Sequence, residues 1–302
     1  MKSNFSHESL TSSRATFIGL IAILLWSSLV ALIKSVSESF GPIGGAAMIY
    51  SLATLFLMMT IGFPKLKTFP KRYLCWGTIL FVAYEICLSL AIGYAKDGRQ
   101  AIEVGMINYL WPTLTIIASI LFNKQRASWW VIPGFILSIL GAFWVLGNGK
   151  AFDLRLMLSN MQDNPLSYSL SFIGALIWSA YCVITVRMAE GKNGITFFFL
   201  LVALTLWIQY FWIGNQDFHF NLQSSIYLIF AASAMGLGYA AWNIGMLHGN
   251  VIILATASYF IPIFSAVIAA IMLDTALSFG FWQGVMMVCA GSILCYLSTK
   301  KL

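Results

Sequence analysis

Charge is what this chain has least of. Asp, Glu, Lys and Arg together make up 9% of the 302 residues, hydrophobic residues make up 60%, and the mean hydropathy is +0.86. A soluble domain is nearer a quarter charged and half apolar. The composition excludes a soluble enzyme and indicates a polytopic membrane protein. Histidine is also scarce, with His7 in a polar leader, His219 in a loop and His248 in a tight turn. No His, Cys, Asp or Glu spacing suits a metal, and neither an H-E-x-x-H helix nor a G-x-S-x-G elbow occurs. The G-x-x-x-x-G-K-[ST] phosphate loop is missing as well, so ATP hydrolysis by that route would need a partner. Cys75, Cys87, Cys182, Cys289 and Cys295 lie in or beside apolar runs without paired spacing, and read as small buried apolar residues. No cofactor is implied. The net charge of +7 does not point to nucleic acid, because the basic residues sit in short loops between apolar runs. There they orient a chain against the lipid bilayer.

What remains is a series of apolar runs near the roughly 20 residues that a bilayer helix needs. After the leader, residues 1–14, the first run (15–33) exceeds a signal-peptide core of about 7–15 residues. Ser35-Val36-Ser37 resembles a cleavage site, yet the run reads as an uncleaved first helix. Nine more follow at 43–62, 73–95, 101–122, 129–147, 167–186, 195–213, 225–247, 251–273 and 279–298. The expectation is an all-α membrane protein of ten transmembrane helices. A cytoplasmic N-terminus puts twelve of the 17 lysines and arginines inside and five, including Lys34, outside. Both termini are then cytoplasmic. The longest loop, 148–166, is read as a periplasmic linker, too short for a soluble domain.

The sequence repeats itself. A shift of 150 residues, without a gap, aligns Tyr109 with Tyr259, Pro112 with Pro262, Ser128 with Ser278, Gly134 with Gly284 and Gly141 with Gly291. Trp26-Ser27 is echoed by Trp178-Ser179 at an offset of 152. The first unit is 15–147 and the second 167–302. Five helices per unit is odd, so the second enters the membrane inverted, as in many secondary transporters.

Two prolines interrupt this regularity inside apolar runs, in Asn108-Tyr109-Leu110-Trp111-Pro112 and Ser258-Tyr259-Phe260-Ile261-Pro262. Proline lacks an N–H and its ring crowds the preceding turn, and hydrocarbon offers no water to replace the lost bond. The two breaks are expected to face each other and to form a binding site at the membrane midplane. Glu85 lies near the centre of its span, where a carboxylate costs about 2.5–3.5 kcal/mol on insertion scales. With no lysine or arginine at comparable depth, the neutral carboxyl is favoured. Two readings stay open: Glu85 takes a substrate ammonium or coupling proton, or it is a protonated carboxyl bonded between helices, to Asn108 or Asn243. Glu103, near a helix N-terminus, reads as structural. Tyr73, Trp76, Trp129, Trp130, Trp212, Trp282 and Tyr296 fit the interfacial belt. Trp26, Tyr84, Tyr109, Trp111, Trp178, Tyr181, Tyr239, Trp242 and Tyr259 lie nearer the helix centres and suit a cavity that stacks a flat aromatic ring. Gly236, Gly238 and the run 231–234 suit close helix packing.

The stretches Tyr84–Leu88, Ala101–Met106, Asn108–Pro112, Ala240–Asn243 and Leu247–Asn250 resemble the drug/metabolite transporter superfamily with two EamA-type halves, and within it the YddG-type aromatic amino acid exporters. The likeness runs from about Ala15 to the C-terminus. It implies an inner-membrane exporter of aromatic amino acids (Trp, Phe, Tyr) that alternates between outward- and inward-open states. Other substrates of the superfamily remain as alternatives: threonine-like amino acids, purines, nucleotide sugars or organic cations. A phosphate-bearing substrate would call for deep lysines or arginines, whereas a cation could pair with Glu85 and the rings. A passive channel is the alternative from another class. The chain is read as a monomer.

Overall fold

A backbone in hydrocarbon must satisfy its own N–H and C=O groups, which leaves the helix as the available form for these apolar runs. A computed structural model describes residues 11–147, 154–214 and 218–299, and every regular element among them is helical. The elements are α1 (Ser12–Ser27), α2 (Leu29–Phe40), α3 (Pro42–Thr60), α4 (Lys71–Gly93), α5 (Gly98–Asn108), α6 (Trp111–Asn123), α7 (Val131–Leu146), α8 (Leu154–Asp163), α9 (Pro165–Met188), α10 (Ile195–Ile213), α11 (Leu222–His248), α12 (Val251–Ser258), α13 (Ile261–Met272) and α14 (Phe279–Thr299).

Seven of the described helical runs are long and apolar enough to cross a membrane: α3, α4, α5–α6 taken together, α9, α10, α11 and α14. The pairs α1–α2 and α12–α13 also qualify, bent by 43° and 50° at their breaks, and α7 is apolar but shorter at 16 residues. Hydrogen bonds between the ends of these elements mark two rims. At one, the Asn250 amide donates to Thr16 Oγ1 and the Ser128 amide to the Ser298 carbonyl. At the other, the His219 amide donates to the Ser39 carbonyl and Asn164 Nδ2 to the Tyr94 carbonyl.

The most extensive packings pair α7 with α14, α4 with α9, α1 with α11, and α3 with α10. Glycines make these approaches possible. A Cβ on Gly141 would sit 2.8 Å from the Gly284 carbonyl oxygen, and one on Gly134 would sit 2.9 Å from that of Gly291. A Cβ on Gly236 would likewise sit 2.8 Å from the Ala53 carbonyl oxygen, so α11 rides directly on the backbone of α3.

Several expectations need correction. The first helix does not end at residue 33 but continues to Phe40, with a bend at Ser28 that no proline announces. The Ser27 hydroxyl donates to the Ile23 carbonyl and the Ser28 hydroxyl to that of Leu25, both at 2.7 Å. Such back-bonding competes with the ladder and bends helices. Lys34 is therefore helical and 5% exposed, not a loop residue. Its Nζ donates to the Ala95 carbonyl beyond the C-terminal end of α4 (2.7 Å) and pairs with Glu38 (3.3 Å). The stretch read as a linker, 148–166, contains α8 and the start of α9 among its described residues. Tyr73 does not belong to an interfacial belt: it is buried against Phe198 and Phe69, with ring centroids 6.2 and 6.4 Å away. Cys75 is exposed, not buried, while all five cysteines are free.

Candidate functional site

Both proline breaks form as the missing N–H requires. α5 ends at Asn108 and α6 restarts at Trp111; between them the Tyr109 amide donates to Gly105 and the Leu110 amide to Ile107 (both 3.1 Å). α12 ends at Ser258 and α13 restarts at Ile261, with the Phe260 amide donating to Ala257 at 3.0 Å. Tyr109, Trp111 and Pro112 line one cleft together with Ser258, Tyr259, Ile261, Pro262 and Ser292. The breaks thus face one another. The cleft measures about 10 Å³, room for about one water and none for an aromatic ring. Behind Pro112, Thr113 Oγ1 lies 2.9 Å from Ser138 Oγ and 2.8 Å from Ser292 Oγ, tying α6 to α7 and α14.

The inward rings form two groups. Trp178 on α9 lies 4.4 Å from Tyr84, 5.0 Å from Tyr181 and 6.2 Å edge-on from Trp111. Trp26 on α1 lies 5.0 Å from Tyr239 and 5.3 Å from Trp242, both on α11. Phe81 bridges the groups, 6.0 Å from both Trp178 and Tyr239. Tyr259 stands apart and packs against Tyr296 at 5.4 Å. The Tyr84 hydroxyl donates to Asn108 Oδ1 at 3.3 Å, while Asn108 Nδ2 is buried without an acceptor among the described residues.

Glu85 is 1% exposed and fully engaged, but not by Asn108 or Asn243. The Tyr50 hydroxyl donates to Oε2 at 2.6 Å and the Tyr239 hydroxyl to Oε1 at 2.8 Å. Ser89 Oγ lies 3.1 Å from the Tyr50 hydroxyl; Tyr50 has one proton and gives it to Glu85, so Ser89 is the donor in that contact. The carboxylate therefore joins α3, α4 and α11. Tyr50 was missed in the sequence; its mark there is a phenolic hydroxyl near the middle of a span whose other hydroxyls are the serine and threonines at 51, 54 and 60. Asn243 is half-buried and joins none of these bonds. Glu103 is structural as expected: it accepts from Tyr168 (2.7 Å) and Arg99 (3.1 Å), fastening α5 to α9. Gln100 Oε1 accepts from Asn164 Nδ2 at 2.7 Å, and Lys96 pairs with Asp163 at the same rim.

Comparison with known proteins gives this geometry its context. The model of the EamA-like transporter family matches residues 13–147 and, a second time, 165–297. Proteins described as aromatic amino acid exporter YddG, from Escherichia coli (strain K12) and Salmonella typhimurium (strain 14028s / SGSC 2262), are each 52% identical over 292 residues, covering 97% of this chain and 100% of theirs. One of the same description from Ancylobacter novellus is 24% identical, over 87% of this chain and 90% of its own. A crystal structure superposes with a TM-score of 0.66 over 95% of this chain and 98% of that one; at 21% identity it speaks to fold alone. Two matches of the family model along a helical chain apolar enough to cross a membrane many times have one meaning: the protein belongs to the EamA-like transporter family.

Proposed function

We propose that the protein is an inner-membrane secondary transporter that exports aromatic amino acids by alternating access through a midplane cavity between its two helix breaks. The observation that carries this reading is the shared cleft, with Tyr109, Trp111 and Pro112 on one wall and Tyr259 and Pro262 on the other. Tyr84, Trp178 and Tyr181 extend the first wall, and Trp26, Tyr239 and Trp242 form a second ring group. A planar ring inserted among them gains about 0.5–1.5 kcal/mol per stacking contact. The substrate carboxylate accepts from the unpartnered Nδ2 of Asn108, with Asn243 on the opposing helix. The substrate ammonium replaces the Tyr239 hydroxyl on Glu85 Oε1. The names of the two relatives at 52% identity support the same substrate class.

The ten-helix count follows if each bent pair is one span and α7 crosses as a short one. At about 1.5 Å per residue α7 reaches about 24 Å, against a hydrocarbon core of about 30 Å. Trp129 and Trp130, both exposed at its start, suit anchoring at a locally thinned interface. Two equivalent halves are supported by the packing, and the odd number of spans in each inverts one against the other: exchanging them leaves α3–α10 and α7–α14 as self-pairs and interchanges α1–α11 with α4–α9. The contacts Gly134–Gly291 and Gly141–Gly284 are likewise interchanged by the 150-residue shift, the signature of an interface with two-fold symmetry. The distribution of lysine and arginine puts both chain ends in the cytoplasm.

The test is uptake by liposomes containing the purified protein, using labelled tryptophan, phenylalanine, threonine and a quaternary amine. Saturable tryptophan and phenylalanine transport is expected. Tryptophan moving no faster than in empty liposomes, with threonine or the amine carried instead, would overturn the assignment, and flux that never saturates would indicate a channel.

A further inference from the structure

At the rim formed by the ends of α2 and α13 and the starts of α5 and α11 lies a hollow of about 390 Å³ that the midplane cleft does not include. Its size falls within the roughly 300–1,000 Å³ typical of small-molecule sites. Its only charged lining residues are acidic, Glu38 and Asp274. Glu38 is held through Oε1 by the buried Lys34 at 3.3 Å and leaves its other oxygen for a ligand. Asp274 is exposed and makes no ion pair among the described residues. Ser35 supplies an independent sign of a missing ligand: it is 8% exposed, lines the hollow, and its hydroxyl has no hydrogen-bond partner among the described residues. Tyr227 and Leu273 add a ring and an apolar wall; the Tyr227 hydroxyl is anchored by Gln223 Nε2 at 3.0 Å.

We propose that this hollow is a second ligand site, a rim station that binds the ammonium end of an aromatic amine or amino acid separately from the midplane cleft. Lys34 offsets the charge of Glu38 through Oε1, which leaves Asp274 as the uncompensated charge of the lining and makes an anion a poor occupant. Among the described residues no three His, Cys, Asp or Glu side chains gather to hold a metal ion, so a metal is a poor occupant too. An ammonium donates to Asp274, to the free Glu38 oxygen and to Ser35 Oγ, and its attached ring lies against Tyr227. That the natural ligand is an amino acid in transit rests on the export reading; the recognition of an aromatic ammonium does not. On that reading the site faces outward and receives substrate after the midplane cleft releases it.

The test is equilibrium binding of labelled tryptamine, an aromatic ammonium without a carboxylate, to the full-length detergent-solubilised protein. Asp274→Asn removes the charge while keeping a residue that tolerates the left-handed backbone there (φ 46°). It is expected to weaken one class of tryptamine site by about tenfold or more. Asp274→Glu restores binding, Ser35→Ala gives a smaller loss, and Trp111→Ala leaves this class intact. Unchanged tryptamine binding in a folded Asp274→Asn protein overturns the proposal, as does loss of all binding in Trp111→Ala. Liposome assays separate the two claims. Asp274-dependent binding by a protein that carries no tryptophan sinks the export reading and leaves the rim site standing; tryptophan transport with Asp274-independent binding does the reverse.

Discussion

The carboxylate of Glu85 sits between two tyrosine hydroxyls contributed by helices far apart in sequence, Tyr50 on α3 and Tyr239 on α11. Each such bond contributes about 0.5–1.5 kcal/mol, and a buried polar group left alone costs about 1–3 kcal/mol. Tyr50→Phe strips Oε2 of its donor and also leaves Ser89 unpaired. The expected result is a loss of about 1–3 kcal/mol in stability, read as a lower midpoint in thermal or denaturant unfolding. Glu85→Gln acts differently, because its amide NH2 faces a hydroxyl that was donating and one tyrosine must turn round. If the ammonium docks here, tryptophan transport by Glu85→Gln falls at least about tenfold, the loss of one charge-assisted bond. Transport kept at the wild-type level would remove Glu85 from the substrate path. Glu85 was legible in the sequence because one acid in an apolar run stands out. Its partners were not, since a tyrosine 35 residues upstream carries no periodic signal and the pairing is set by tertiary packing. Lys34 was misplaced for a related reason: counting basic residues at span ends assigns them to loops, and this one bends back to the Ala95 carbonyl.

Among the elements, the broken helices divide by how their breaks are encoded. Prolines 112 and 262 state theirs in the sequence, because the lost N–H cannot be restored. The 43° bend at Ser28 depends on which carbonyl each serine hydroxyl chooses, and serine in a helix can as well point elsewhere. Apart from the first span, which runs seven residues past its expected end, the span limits were legible to within a turn, and 195–213 coincides with α10. α8 was not, because a short helix with exposed Leu158 and Met161 lacks a long apolar run. Packing between elements was legible only through glycine spacing. Gly141→Ala makes that spacing testable: its Cβ would meet the Val288 amide nitrogen at 2.7 Å and the Gly284 carbonyl oxygen at 2.8 Å, both backbone atoms. Neither can rotate away, so α7 and α14 must separate. The expected cost is about 1–3 kcal/mol, as for other overpacked contacts, measured as a lowered unfolding midpoint. Gly291→Ala meets the Gly134 carbonyl oxygen at 2.6 Å, and under the proposed two-fold relation, which carries Gly141 onto Gly291, its penalty matches that of Gly141→Ala. A markedly smaller penalty for one of the two would count against equivalent halves.

At the scale of the molecule, the proposed route requires the closed cleft to open. The rim that holds α5 to α9 is well fastened, by Tyr168 on Glu103 and by Asn164 on Gln100. α5 also packs against α2 and α13, whereas α6 packs on α9, α14 and α7, and α12 packs on α1 and α11. The two segments on the side of the breaks away from that rim, α6 and α12, therefore belong to different neighbourhoods and can part without breaking the fastened rim. A cleft of about 10 Å³ admits a ring only if its walls separate. If the proposed route is correct, tethering the walls stops transport. In a protein whose five native cysteines are replaced, cysteines at Trp111 and Tyr259, both on the cleft, are joined with a short cleavable bifunctional thiol reagent. Because the two substitutions themselves alter the ring site, the comparison is made within the double variant, before and after joining. Its residual tryptophan transport is expected to vanish on cross-linking and to return when the reagent is cleaved. Transport that survives quantitative cross-linking would mean that substrate crosses by a path that does not run between the two proline breaks.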